Sequence, residues 1–113
     1  MHELAITEGI IKIAKEVAEK NNAKKVLYIK VKCGDFSGVI PSLIQEYFDI
    51  VSKGTIVEGA KLLIDRVPIK IVCSECNNES EIKRSDIRCP KCGGYRYRII
   101  SGKEFYVEAL EVE

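Results

Sequence analysis

Four cysteines stand in two tight pairs, Cys73 and Cys76 in CSEC and Cys89 and Cys92 in CPKC, with twelve residues between the pairs. Each pair brackets two residues, so one reverse turn aims two thiolates at a common point, and two such turns surround a single ion. Four thiolates around one ion make a closed structural site that leaves no position for a substrate. Zinc is the ion this spacing favours. Iron in a rubredoxin-like site takes the same ligands, and two redox disulfides are a further use of the pairs. Neither calls for both pairs this close with Gly93 and Gly94 behind the second.

A chain of 113 residues has room for one ordinary domain with a modest core. The 34 residues of 69–102 cannot bury much by themselves, so a metal must help fold that part. Eighteen basic against seventeen acidic side chains leave a formal charge of +1, which forces no partner class. The apolar runs are only a few residues long, and the start MHELAITEG lacks a basic segment followed by a hydrophobic stretch. Neither a membrane partner nor export is expected. The expected compartment is the cytoplasm, where reducing conditions keep paired thiolates available as metal ligands; five cysteines are also an odd number for a disulfide framework.

Between Leu4 and about Asn22, Ile6, Ile10, Ile13, Ala14 and Val17 recur at intervals of three and four, with Lys12, Lys15, Glu16, Glu19 and Lys20 opposite, which predicts an amphipathic helix. From Val26 to Cys33 the pattern alternates, with Leu27, Ile29, Val31 and Cys33 on one face and Lys30 and Lys32 on the other, as in a half-buried strand. The turn GDFSG leads to Pro41, a residue suited to a first helical turn, and Leu43, Ile44, Tyr47, Phe48 and Val51 form a second apolar stripe ending near Gly54. Lys61 to Val67 reads as a strand interrupted by Pro68, and Lys103 to Val112 as a last strand with Phe105, Val107 and Ala109 alternating.

These elements predict an α+β fold in which two helices pack on a small, about three-stranded sheet. The cysteine segment interrupts it as an inserted zinc-ribbon-like lobe of short hairpins or knuckles. The expected division is 1–68 with 103–113 for the α+β domain and 69–102 for the metal lobe. Cys33, on the apolar face of the first strand, reads as a buried, inert small hydrophobe.

The single histidine, His2, directly follows the initiator methionine and precedes Glu3. A lone histidine near a terminus is more often a solvated residue of no consequence. Its chemistry allows a sharper use. A free terminal amine, the deprotonated amide nitrogen of His2 and its imidazole chelate one ion through adjoining five- and six-membered rings. That plane suits Ni(II) or Cu(II), whereas zinc has no electronic preference for a plane. Glu3, a further amide or a partner group would fill the fourth position. Because amine, amide and imidazole must all lose protons, such a site is pH-dependent.

Taken together, the start MHE, the stretches SGVIPSLI and GTIVEGAKLLIDRVP, the pairs CSEC and CPKCGG and the end SGKEFYVEALEVE make the chain resemble the HypA/HybF hydrogenase nickel-incorporation proteins nearly end to end. The resemblance implies a nickel metallochaperone that loads Ni(II), its transient cargo, into the large subunit of [NiFe] hydrogenase. It also implies a partner, the nickel-binding GTPase of the same maturation pathway; in some organisms the family also serves urease. Residue by residue, it puts the nickel ligand on His2, with Glu3 beside it, and structural zinc on Cys73, Cys76, Cys89 and Cys92. Some members bring a further histidine from near the zinc lobe to nickel, a route closed here because there is no second histidine. A monomer and a homodimer made by exchanging the terminal strand or the lobe both fit the sequence.

The rival reading is a zinc-ribbon module that binds nucleic acid or protein. Lys83, Arg84, Arg88, Lys91, Arg96, Arg98 and Lys103 outnumber Glu75, Glu79, Glu81 and Asp86, and Tyr95 and Tyr97 interleave with Arg96 and Arg98. The same alternation describes an ordinary half-exposed strand, and a nucleic-acid reader has no use for His2. An enzyme is not expected, because closed thiolate zinc offers no open position for water and no nucleophile has an evident base partner. GTP hydrolysis belongs to the partner, since the chain lacks a phosphate-cradling glycine-rich loop with lysine and serine or threonine.

Overall fold

Apolar spacing of 3.6 and 2 residues, punctuated by Asn, Gly and Pro, produces eight elements in the computed structural model, which describes residues 2–113 except the side chain of His2. In chain order they are α1 (His2–Lys20), β1 (Val26–Gly34), α2 (Pro41–Val51), β2 (Lys61–Val67), β3 (Ile69–Cys73), β4 (Glu79–Ile82), β5 (Tyr97–Ser101) and β6 (Phe105–Val112). One three-stranded sheet has the order β2-β1-β6 and the other the order β4-β3-β5. The α+β architecture with two helices and small sheets is the expected one. No helix among the described residues is long and apolar enough to cross a membrane.

Helix α1 stops because Asn22 takes a left-handed conformation with φ of 51°. The Ala23 N–H then donates to the Ala18 carbonyl at 2.9 Å and the Asn22 N–H to Glu19 at 3.2 Å, the paired bonds of a Schellman cap. The buried face of α1 is turned from the one expected: it carries Glu3, Thr7, Ile10, Ile11, Ala14 and Ala18, while Ile13 is 44% exposed and Ile6 and Val17 are half-buried. Ala14 and Ala18, four residues apart, give this face small side chains and so a close approach to the core. Helix α2 begins with Pro41, whose missing N–H costs nothing in a first turn, and buries Ile44 and Phe48.

The chain divides into two compact units. One runs up to Val31 and takes in Val39–Asp65 and Tyr106–Glu113. Its buried apolar residues include Ile10, Ile11, Val26, Ile29, Val31, Ile44, Phe48, Val57 and Leu62. The other unit comprises Lys32–Gly38 and Arg66–Phe105. Three consecutive backbone donors attach the 32–38 stretch to it: the N–H groups of Gly34, Asp35 and Phe36 reach the carbonyls of Glu104, Val67 and Gly102 at 2.7, 2.9 and 2.7 Å. The approach is so close that a Cβ on Gly34 would collide with the Gly102 carbonyl, and Gly102 itself has φ of 108°. Glycine is required at both places for contact in one and conformation in the other. Arg66 adds a 2.9 Å ion pair to Asp35.

In the second unit β3 is central, antiparallel to β4 with Ile71 opposite Ser80 and antiparallel to β5 with Cys73 opposite Tyr97. Ile69, Ile71, Cys73, Ile82 and Cys89 form its core, with Cys76, Tyr97 and Ile99 packed against them. The expected hairpins are thus joined into one sheet that ends in the first cysteine pair.

Candidate metal centre

Each cysteine pair sits on a turn closed in the same way. At the end of β3 the Asn77 N–H donates to the Cys73 carbonyl at 2.8 Å, and the Cys73 N–H to the Asn78 carbonyl at 3.1 Å. In the second turn the Gly93 N–H donates to Cys89 at 2.8 Å and the Cys89 N–H to Gly94 at 2.9 Å, at identical offsets. The residue four places after the first cysteine is left-handed in both, Asn77 at φ of 58° and Gly93 at 75°. Gly and Asn are the residues that adopt this conformation at least cost, which is why CSECNN and CPKCGG make matching knuckles.

The knuckles bring the four sulfurs together. Cys73 and Cys92 Sγ are 3.6 Å apart, Cys76 and Cys89 Sγ 3.7 Å, and all four lie within 4.8 Å of one another. Zinc–sulfur bonds of about 2.3 Å in a tetrahedron put sulfurs about 3.8 Å apart, so the donor set and its spacing fit one metal ion. Cys73 and Cys89 are buried in the lobe core, Cys76 is half-buried and Cys92 is exposed.

The electrostatics also call for a cation. The backbone N–H of Asn78, with its side-chain amide, draws the Cys76 thiol down to about 7. At Cys92 the Gly94 N–H pulls the same way but is outweighed by Cys73, burial, Cys89 and Cys76 acting together, and the thiol is pushed up to about 12. Thiols crowded together resist ionising together. A divalent ion removes that resistance and lets all four ionise.

The other predicted residues are placed as follows. His2 opens α1, and its side chain lies outside the described residues. Glu3 is 5% exposed, and its Oε2 accepts the Ile40 N–H at 3.2 Å, at the start of α2. Its own backbone N–H and then that of Ile40 hold the Glu3 carboxyl below the usual carboxylate range. Thr7, one turn on, donates its hydroxyl to the Glu3 carbonyl at 2.6 Å. Cys33 is buried, with Sγ 3.7 Å from Ser37 Oγ. Tyr97 packs into the lobe core while Tyr95 is 64% exposed, so the two tyrosines do not present a common stacking face. Sequence reasoning passed over Glu75, whose Oε2 lies 3.9 Å from Cys92 Sγ. Its place inside CSEC was the available signal.

Comparison with known proteins gives the same pattern a family. The family model described as "Hydrogenase/urease nickel incorporation, metallochaperone, hypA" matches residues 1–112. The chain belongs to the HypA family. The hydrogenase maturation factor HypA of Caldanaerobacter subterraneus subsp. tengcongensis is 40% identical over 114 residues, covering all of both chains. That of Geobacter metallireducens is 38% identical over 113 residues, again covering both chains in full. The solution structure of the Ni metallochaperone HypA from Helicobacter pylori has 25% identity and a TM-score of 0.64, covering 97% of this chain and 96% of that one. A second HypA solution structure has 27% identity and a TM-score of 0.71, covering 100% and 97%. In this HypA chain a four-cysteine cluster that fits a metal site therefore accompanies the fold of a nickel-metallochaperone family of hydrogenase maturation factors.

Proposed function

We propose that the chain carries Ni(II) at its N-terminus for insertion into [NiFe] hydrogenase and holds a permanent structural zinc on Cys73, Cys76, Cys89 and Cys92. The observation that carries this reading is the closure of the four sulfurs around one point, within 4.8 Å of one another. A tetrahedron of thiolates is complete and has no exchangeable position for a cargo ion. Cargo must bind elsewhere, and His2 is the only histidine.

The start of α1 supports that choice. A residue in the first helical turn has no carbonyl four places earlier, so the His2 N–H is free of the helix ladder and available for deprotonation. Terminal amine, His2 amide and imidazole then give the planar chelate that nickel favours. Glu3 follows, with one carboxylate oxygen accepting the Ile40 N–H, which suits it to orienting the first turn; Glu3, water, a backbone nitrogen or a partner group completes the plane. The domains divide the work, 1–68 with 103–113 presenting nickel and 69–102 shaping a docking surface. The chain catalyses nothing itself. It acts in the cytoplasm with the GTPase of the maturation pathway and delivers to the hydrogenase large subunit.

Titration of zinc-loaded, untagged protein with Ni(II), followed by calorimetry and absorption, tests this against the His2→Ala variant. One saturable nickel with a square-planar d–d band in the wild type, lost in the variant while zinc stays, is the expected result. Equal binding in both, or none in either, overturns it.

A further inference from the structure

The two knuckles share a backbone plan, but their outer corners differ. Cys76 is half-buried, and the Asn78 side-chain amide donates to its backbone carbonyl at 3.3 Å. Cys92 is exposed and faces the Glu75 carboxylate at 3.9 Å. Glu75 comes from the opposite knuckle, between Cys73 and Cys76. It lies directly over Gly94: a Cβ there would run into Glu75 Oε2 and stand 3.4 Å from Cys92 Sγ. The glycine leaves room for the Glu75 carboxylate beside that corner.

We propose that metal enters and leaves the four-cysteine site at the Cys92 corner, with Glu75 as the ligand that exchanges with Cys92. The proposal rests on the four cysteines holding zinc. A site that keeps its ion for long periods must still be loaded, and a solvated ion cannot reach the buried sulfurs of Cys73 and Cys89 first. Of the two remaining corners, Cys76 is half-buried beside a backbone carbonyl held by the Asn78 side chain, whereas Cys92 is exposed. Glu75 Oε2 already stands 3.9 Å from Cys92 Sγ, which places the carboxylate to take over its position.

In the exchange the Zn–S bond to Cys92 breaks with its electron pair left on sulfur, and a Zn–O bond of about 2.0–2.2 Å forms with a carboxylate pair of Glu75. One anion replaces another, the charge of the site is unchanged and nothing is oxidised. The released thiolate takes a proton from water. Loading runs the same steps backwards.

The test uses the full-length zinc-loaded protein, with transfer of zinc to excess 4-(2-pyridylazo)resorcinol as one readout and iodoacetamide alkylation mapped by mass spectrometry as the other. Wild-type protein is expected to be alkylated first at Cys92. Glu75→Gln is expected to transfer zinc about fivefold more slowly, with bound zinc still at one equivalent and the circular dichroism unchanged. Glu75→Asp keeps the charge one methylene short of the metal and is expected to be as slow as Gln. Wild-type speed in Glu75→Gln, wild-type speed in Glu75→Asp, or first alkylation at Cys76 each overturns the exchange. A protein that binds no zinc gives no transfer signal at all, and that result strikes the four-thiolate reading itself.

Discussion

The two units of this chain reach an ordered core by different means. The helical unit buries Ile10, Ile29, Val31, Ile44 and Phe48, side chains that gain from leaving water with no cofactor. In the cysteine-bearing unit two of the five core residues, Cys73 and Cys89, belong to the four-cysteine cluster that could hold a metal ion, and Cys76 packs against the same core. Its apolar remainder, chiefly Ile69, Ile71 and Ile82, is small for the task of holding two knuckles shut. The contrast teaches that one chain can set a core made by packing beside one that, on the proposed zinc reading, coordination closes.

The largest effect expected follows from removing that metal. Zinc chelation, or Cys76→Ser, is expected to abolish hydrogen-exchange protection across 69–102, since structural zinc contributes about 10–16 kcal/mol to comparable small folds. Protection of α1 and α2 should persist. One retained zinc and a protected lobe in Cys76→Ser would break the comparison. The converse variant, Phe48→Ala, opens a cavity under α2 and should cost about 3–5 kcal/mol in the helical unit, read by denaturant unfolding, while one zinc stays bound. Zinc loss in that variant would mean the two cores do not stand apart.

Gly34→Ala probes the coordinated unit away from its metal. The added methyl meets the Gly102 carbonyl, and overpacking of this kind costs about 1–3 kcal/mol. Faster exchange of the Gly34, Asp35 and Phe36 amides at full zinc content is the expected signature. Glu3→Gln is the mildest change and is read from pH dependence. The folded Glu3 carboxyl titrates below its ordinary value, because its own N–H and that of Ile40 favour the charged form. It therefore contributes stability that is present above about pH 4.3 and is lost as pH falls through the lower, folded value. Glu3→Gln should flatten that acid-side slope in unfolding midpoints; an unchanged slope would remove the carboxylate from the stability of the helical unit.

Much of this division is legible in the sequence because it depends on local spacing. The alternation of Ile29, Val31 and Cys33, the stripe of Ile44 and Phe48 behind Pro41, and the matched CSECNN and CPKCGG turns all give periods or conformations that few structures satisfy. What spacing misses depends on distant partners. Counting branched residues put Ile13 on the buried face of α1, but that face is defined by Ala14, Ala18 and Thr7 and admits Glu3 because a backbone donor 37 residues away meets its carboxylate. The three amides of 34–36 look like an ordinary turn until the carbonyls of Val67, Gly102 and Glu104 are beside them. At the metal centre the ligands follow from the CxxC spacing, whereas Glu75 gains meaning only when Cys92 arrives from the other knuckle.

The claim that two metals have separate seats and separate jobs is tested most directly by X-ray absorption at both edges of one sample, untagged protein loaded with zinc and one equivalent of nickel, beside His2→Ala. The account predicts four sulfurs at about 2.3 Å around zinc in both proteins. It also predicts a planar nitrogen and oxygen environment around nickel that disappears from the variant. Sulfur in the nickel shell, or nickel retained unchanged in His2→Ala, would contradict it.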